Sequence, residues 1–107
     1  MASLAEDLAA LDRIVHEPAR LSILTALSAV RSADFTSLKR LTGLTDGNLS
    51  SHLSKLEEAG LVRVDKQFAE KKPKTEVRIT DNGRKATERH WKQLENLRRN
   101  SHTWKQE

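Results

Sequence analysis

Residues 36–60 read TSLKRLTGLTDGNLSSHLSKLEEAG, and the pattern of this stretch decides the architecture. Just before it, Asp34 can cap a helix of about two turns, with Phe35, Leu38 and Leu41 as its apolar face. Gly43 stops that helix, because glycine takes the left-handed conformation at a helix end without strain. Leu44 plugs the turn. Thr45 caps a following helix, predicted over Asp46–Ala59, whose buried stripe is Leu49, Leu53 and Leu56 and whose stop is Gly60.

Two helices joined by a turn of about three or four residues holding glycine form a helix-turn-helix unit. The second helix is divided by chemistry. Opposite its leucines, at about 100° per residue, lie Gly47, Ser51, Ser54 and Glu58, with Asn48, Ser50, His52 and Lys55 on the flanks. Any surface helix has one apolar and one polar face. Serines are poor helix formers, however, and a helix selected for stability alone carries Ala, Glu, Lys or Gln there. The small polar front therefore reads as a working surface that suits the DNA major groove, which is wide enough to admit a helix. Asn48 suits an adenine edge. Ser51 suits a base or a phosphate, and His52 and Lys55 suit guanine or the backbone. Gly47 lets the main chain come close.

Working outward, Leu4, Leu8, Leu11 and Val15 are spaced 4, 3, 4, which predicts an N-terminal helix over about 4–15. Pro18 pushes Glu17 out of helical geometry and suits the first turn of a new helix. Leu21, Ile23, Leu24, Leu27 and Val30 make that helix the central buried element. Arg31 to Asp34 reads as a polar link. After Gly60, residues 61–66 and 75–80 alternate in polarity with Val62, Val64, Val77 and Ile79 inward, which predicts two strands. Gln67 to Lys74 reads as a long, polar and basic hairpin tip. Arg63, Lys66, Lys71, Lys72, Lys74 and Arg78 cluster on this hairpin. They suit a grip on phosphate or entry into the minor groove, although lysines also protect any edge hairpin from aggregation. Thr80 or Asp81 caps a last helix over about 82–102, with Gly83, Thr87, His90, Leu94, Leu97, Ser101 and Trp104 as its stripe.

The resulting fold class is mainly α with a small antiparallel β-hairpin, in the order α-α-α-α-β-β-α. A length of 107 residues bounds it to a single domain spanning 1–107. There is no cysteine, which removes disulfides, thiolate metal sites and a thiol nucleophile. No apolar run reaches a membrane span of roughly 18–20 residues, and Met1 to Asp7 have neither the basic start nor the apolar stretch of a signal peptide. The chain is therefore expected in the cytoplasm, with no membrane partner. Residues 1–35 carry net charge −2 and residues 36–107 net +6, an asymmetry that suits a polyanionic partner. The four histidines, His16, His52, His90 and His102, show no metal-ligand spacing, and no nucleophile lies beside a base. Neither a cofactor nor an enzymatic activity is expected.

The segment GLTDGNLSSHLSKLEEAGLVRV, followed by DKQFAEKKPKTEVRIT and DNGRKA, resembles the winged helix-turn-helix transcriptional regulators of the MarR/ArsR type, in particular their small single-domain members. The resemblance covers roughly residues 8–100 and is most specific over Leu44 to Val64. It implies a homodimer that binds a double-stranded DNA operator, nucleoid-associated when bound. By the same resemblance Thr45, Asn48, Ser51, His52 and Lys55 form the recognition-helix surface and Lys71, Lys72 and Lys74 the wing tip. The chain lacks the cysteines of metal-sensing members and the long end helices of ligand-binding ones, so no effector carries over.

The terminal helices add an expectation of their own. Their stripes offer more apolar side chain than one small domain needs, so pairing is expected across a two-fold axis. The pairing residues are Leu4, Leu8, Leu11, His90, Trp91, Leu94, Leu97 and Trp104. The leading reading is a sequence-specific DNA-binding regulator acting as a homodimer. Two alternatives stay open: a protein-interaction module that no longer grips DNA, and a ligand- or metal-responsive sensor on the same fold. Asp46, Glu57 and Glu58, which repel phosphate, favour the first alternative.

Overall fold

Side chains that accept backbone N–H groups set the start of every helix in the computed structural model, which describes residues 3–101. Ser3 opens α1 (Leu4–Ala9) and Glu17 opens α2 (Pro18–Ser28) with Pro18 in the first turn. Asp34, Thr45 and Thr80 open α3 (Phe35–Thr42), α4 (Asp46–Glu58) and α5 (Asp81–Asn100). Gly43 and Gly60 follow α3 and α4 in the left-handed region, at φ 71° and 77°. Three strands complete the fold: β1 (Ala33–Asp34), β2 (Val62–Ala69) and β3 (Lys72–Ile79), all antiparallel in the order β1-β3-β2.

The core forms around α2. Its Ile23, Leu24 and Leu27 are fully buried, and Leu38 of α3, Leu49 and Leu56 of α4 and Val77 of β3 are equally closed to solvent. Val62, Ile79, Leu61 and Ala86 join them from the ribbon and α5. The arrangement is drawn out, 65 × 25 × 21 Å, because the ribbon and α5 both run past the core.

Four expectations are corrected. The N-terminal helix ends at Ala9 rather than near residue 15. Beyond it the side chain of Asp12 accepts the Ile14 N–H at 2.9 Å, and Arg20 donates to the carbonyls of Ile14 (2.7 Å) and Arg13 (3.3 Å). These side chains capture backbone groups a helix needs, so Leu11 and Val15 reach the core from turns. Leu41 is 71% exposed, since six residues past Phe35 the helix has swung its side chain off the buried face. The link before α3 contains β1, where Ala33 pairs with Val77 and Asp34 with Glu76.

The fourth correction concerns the hairpin. It has no long tip: the ladder continues to Ala69↔Lys72, and Glu70 and Lys71 turn the chain at φ 52° and 63°. Pro73 sits within this ladder although it has no N–H to give, and the register explains how. Thr80 donates its N–H to the Leu61 carbonyl at 3.0 Å, and hydrogen-bonded and non-bonded pairs alternate from there. Phe68↔Pro73 falls in a non-bonded pair, where the missing donor costs nothing.

One hydroxyl closes the junction between ribbon and α5. Thr80 Oγ1 donates to the Gly60 carbonyl at 2.6 Å and accepts the Gly83 N–H at 2.9 Å. Arg84 then donates to the carbonyls of Ser28 (3.0 Å) and Val30 (3.4 Å), serving the end of α2. Further along α5, His90 is fully buried, with Nε2 3.3 Å from Nδ1 of His16. Burial pushes the His90 imidazole below its usual range, the His16 charge pushes the same way, and Asp12 opposes them.

Two outcomes are expected. A Cβ at Gly83 collides with the Leu61 carbonyl and comes within 2.7 Å of Ile79 Cγ1, so Gly83→Ala lowers stability by about 3 kcal/mol in urea denaturation. His90 stays neutral in the fold and takes a proton on unfolding, so stability falls as pH drops through about 6.5. Thermal melts from about pH 7.5 to about pH 5.5 show this fall, and His90→Gln has a smaller one.

Candidate nucleic-acid interface

Burial of Leu49, Leu53 and Leu56 against the core turns the other side of α4 outward. Gly47, Asn48, Ser50, Ser51, Ser54 and Lys55 are all exposed there. Thr45 is exposed as well, with its hydroxyl accepting the Asn48 N–H at 3.2 Å. Its first duty is thus to cap the helix. Beside α4 runs the ribbon, and Ser50, Leu53 and Ser54 line a shallow cleft with Phe35, Val64 and Lys66.

His52 is the recognition-surface residue that departs most from expectation. It is half-buried, 3.4 Å from Glu17 Oε2 and 3.3 Å from Arg20 Nη1 through its Nδ1. Glu17 also accepts the N–H groups of Ala19 (2.8 Å) and Arg20 (3.1 Å). Burial works to raise the Glu17 carboxyl, but those two N–H groups and the charges of His52 and Arg20 outweigh it and hold the group below its usual range. The buried Arg20 guanidinium is itself anchored to the carbonyls of Arg13 and Ile14. His52 therefore ties the middle of α4 to the start of α2, and only its remaining ring edge is left to a ligand.

Sequence reasoning passed over these anchors. Glu17 and Arg20 stand three apart around a helix-opening proline, a signal for a cap but not for contact with a residue 32 positions further on. It also missed two ties that involve the acidic residues of α4. Asp46 is held by Lys39 of α3 at 2.8 Å across the turn. Glu57 accepts the Val64 N–H at 3.1 Å and fixes α4 to β2. Both carboxylates are exposed yet have a partner within the chain, and the Lys39 charge offsets that of Asp46.

The basic residues of the wing divide by face. Arg63, Lys72, Lys74 and Arg78 alternate to the side away from Val62 and Val64, whereas Lys66 lies on the α4 side. Arg63 is 3.6 Å from Asp65, and Lys74 is 3.4 Å from Glu76. Lys66, Lys71 and Lys72 are exposed and make no ion pair among the described residues.

The proposed pairing residues divide too. Leu11 and His90 are buried within the protomer, so they are withdrawn from an outer surface. Leu4, Leu8 and Trp91 are 45%, 50% and 43% exposed, and Leu94 and Leu97 are half-buried. Trp104 lies outside the described residues. Among the described residues no three His, Asp or Glu side chains gather to hold a metal ion, and no helix is long and apolar enough to cross a membrane.

The family model for the winged helix DNA-binding domain matches residues 19–98. An uncharacterized protein of Methanocaldococcus jannaschii is 40% identical over 74 residues, which cover 69% of this chain and 80% of that protein. The transcriptional regulator homologue from Pyrococcus horikoshii OT3 is 36% identical, with a TM-score of 0.80 over 86% of this chain and 93% of its own. A MarR-family transcriptional regulator from Silicibacter pomeroyi shares the fold at 23% identity, with a TM-score of 0.64 over 89% of this chain and 61% of its own.

Gly47 allows a direct measurement on the exposed helix face. A Cβ there meets nothing within 4 Å, so Gly47→Ala raises stability by about 0.5–1 kcal/mol in urea denaturation. A drop in stability shows instead that the glycine is needed by the fold.

Proposed function

The chain belongs to the winged helix DNA-binding domain family, and on that premise we propose that it is a sequence-specific transcriptional regulator that grips double-stranded DNA as a homodimer. The observation that carries this reading is the orientation of α4, with its leucines closed in the core and Gly47, Asn48, Ser50, Ser51 and Lys55 open to solvent. In this reading α4 enters the major groove. Asn48 and Ser51 contact base edges, and Lys55 contacts guanine or phosphate. The ribbon follows the backbone beside it, with Lys66, Lys71, Lys72, Lys74, Arg63 and Arg78 supplying charge.

Pairing uses α1 and α5. Gln93 Nε2 donates to the Ala10 carbonyl at 2.9 Å and holds the end of α1 on α5. Leu4 and Leu8 then stand on α1 beside the helix that carries Trp91, Leu94 and Leu97. An apolar seam of this kind matches a two-fold contact in which the same patch meets itself. The paired recognition helices then address half-sites about 34 Å apart, or a multiple of that spacing.

Selection of bound duplexes from a random-sequence library tests the reading and supplies the operator. If each protomer neutralises about four phosphates, log K for that duplex falls with log salt at a slope near −7. Joint replacement of Lys71, Lys72 and Lys74 by alanine flattens the slope with little change in sequence preference. Asn48→Ala or Ser51→Ala relaxes the preference and leaves the slope nearly intact. Recovery of no enriched sequence, or a slope indifferent to the three lysines, overturns the proposal.

A further inference from the structure

An arginine side chain has donors and no acceptor. That restricts how the buried Arg20 can meet His52. Arg20 Nη1 is hydrogen-bonded to His52 Nδ1 at 3.3 Å, so Nδ1 is the acceptor. A neutral imidazole carries one N–H, which then sits on Nε2. The guanidinium has no freedom to withdraw. Its Nε donates to the Ile14 carbonyl at 2.7 Å and its Nη2 to the Arg13 carbonyl at 3.3 Å, and Arg20 is only 9% exposed. Glu17 Oε2 also stands 3.4 Å from Nδ1 and by itself favours the opposite tautomer. Both of its oxygens already have donors, however: the Ala19 N–H on Oε1 and the Arg20 N–H on Oε2. At 3.7 Å from Arg20 Nη1, the same carboxylate offsets the buried positive charge.

The far edge of the ring is free to act. His52 Nε2 makes no hydrogen bond among the described residues and is not closed off as His90 Nδ1 is, so solvent reaches it. His52 stands four residues after Asn48 and three before Lys55, which sets the three side chains in one row along α4. Asn48 and Lys55 are both exposed. A fixed N–H donor in that row suits the major-groove edge of guanine, where N7 and O6 are both acceptors. It is mismatched to cytosine, whose N4 amino group is itself a donor.

We propose that His52 reads a guanine through its Nε2–H, and that Arg20 is the positioning residue that fixes this choice by holding Nδ1 as an acceptor. The inference rests on the DNA-binding reading above and adds a specificity determinant to it. A buried residue of α2 thereby decides which base edge a residue of α4 can recognise. Without that donor Nδ1 takes the hydrogen and gives it to Glu17, and Nε2 turns into an acceptor that guanine cannot satisfy.

Two measurements on the full chain test it. Nitrogen–proton correlation spectra of the imidazole rings, taken at about pH 8 where imidazole is neutral, place the His52 hydrogen on Nε2. Arg20→Met moves it to Nδ1, and Arg20→Lys, which keeps a donor, holds it on Nε2. A wild-type hydrogen on Nδ1, or no change in Arg20→Met, overturns the proposal without any reference to DNA. The second measurement uses the duplex selected from the random library, with 7-deazaguanine, which lacks N7, in place of each guanine in turn. At one position wild-type protein binds about tenfold more weakly, and His52→Ala shows no such penalty there. His52→Gln keeps it, because the amide donates from a similar place. Should Arg20→Met fail to fold, the wild-type spectrum and the 7-deazaguanine series still decide. If wild-type protein binds with its lysine-dependent slope but no guanine distinguishes it from His52→Ala, the guanine contact is overturned and the DNA-binding reading stands. If wild-type protein binds no duplex, both fall together.

Discussion

The structure depends on the burial of one side of α4. Leu49, Leu53 and Leu56 each lose essentially all contact with water against the core. Full burial of a leucine is worth about 1.5–3 kcal/mol, so three together rival the whole net stability of a small domain, about 5–15 kcal/mol. The helix is therefore not at liberty to turn about its axis. Whatever stands opposite the leucines faces solvent, and the chain has placed glycine, asparagine and serine there. The surrounding ties finish the positioning: Thr45 caps the front, Lys39 holds Asp46, Glu17 and Arg20 hold His52, and Glu57 holds the ribbon.

What was legible beforehand was local. Caps and stops announce themselves within a few residues, so Asp34, Gly43, Thr45, Gly60 and Thr80 mark helix ends in the sequence as they do in the structure. The leucine spacing of α4 likewise foretold which face is buried. What escaped depends on partners distant in the chain. The 4-3-4 stripe of Leu4 to Val15 cannot reveal that Arg20 takes the carbonyls a longer α1 would use. The two residues of β1 exist only because β3 offers an edge to them. That Pro73 falls in a non-bonded pair with Phe68 depends on a register that only the partner strand sets. His90 looks like part of an outer stripe until His16, 74 positions earlier, is found against it.

The charge asymmetry of the sequence becomes more specific in three dimensions. Several charges of the basic half are spent on neighbours: Lys39 on Asp46, Arg63 on Asp65, Lys74 on Glu76 and Arg98 on Glu95. Such exposed pairs contribute little to stability, but they sort the remaining cations. Lys66, Lys71, Lys72 and Arg78 are left on the ribbon, and Lys55 on the outer face of α4. Of the three carboxylates on α4 that favour a protein-docking module, Asp46 is paired with Lys39 and Glu57 accepts the Val64 N–H, while Glu58 is exposed.

The drawn-out shape has a practical corollary. A particle 65 Å long and 25 by 21 Å across drags more water as it tumbles than a sphere of equal mass. On a sizing column calibrated with globular standards it elutes early, so a single protomer mimics a pair. Subunit number for this chain is properly weighed by light scattering or sedimentation equilibrium, which respond to mass and are indifferent to outline.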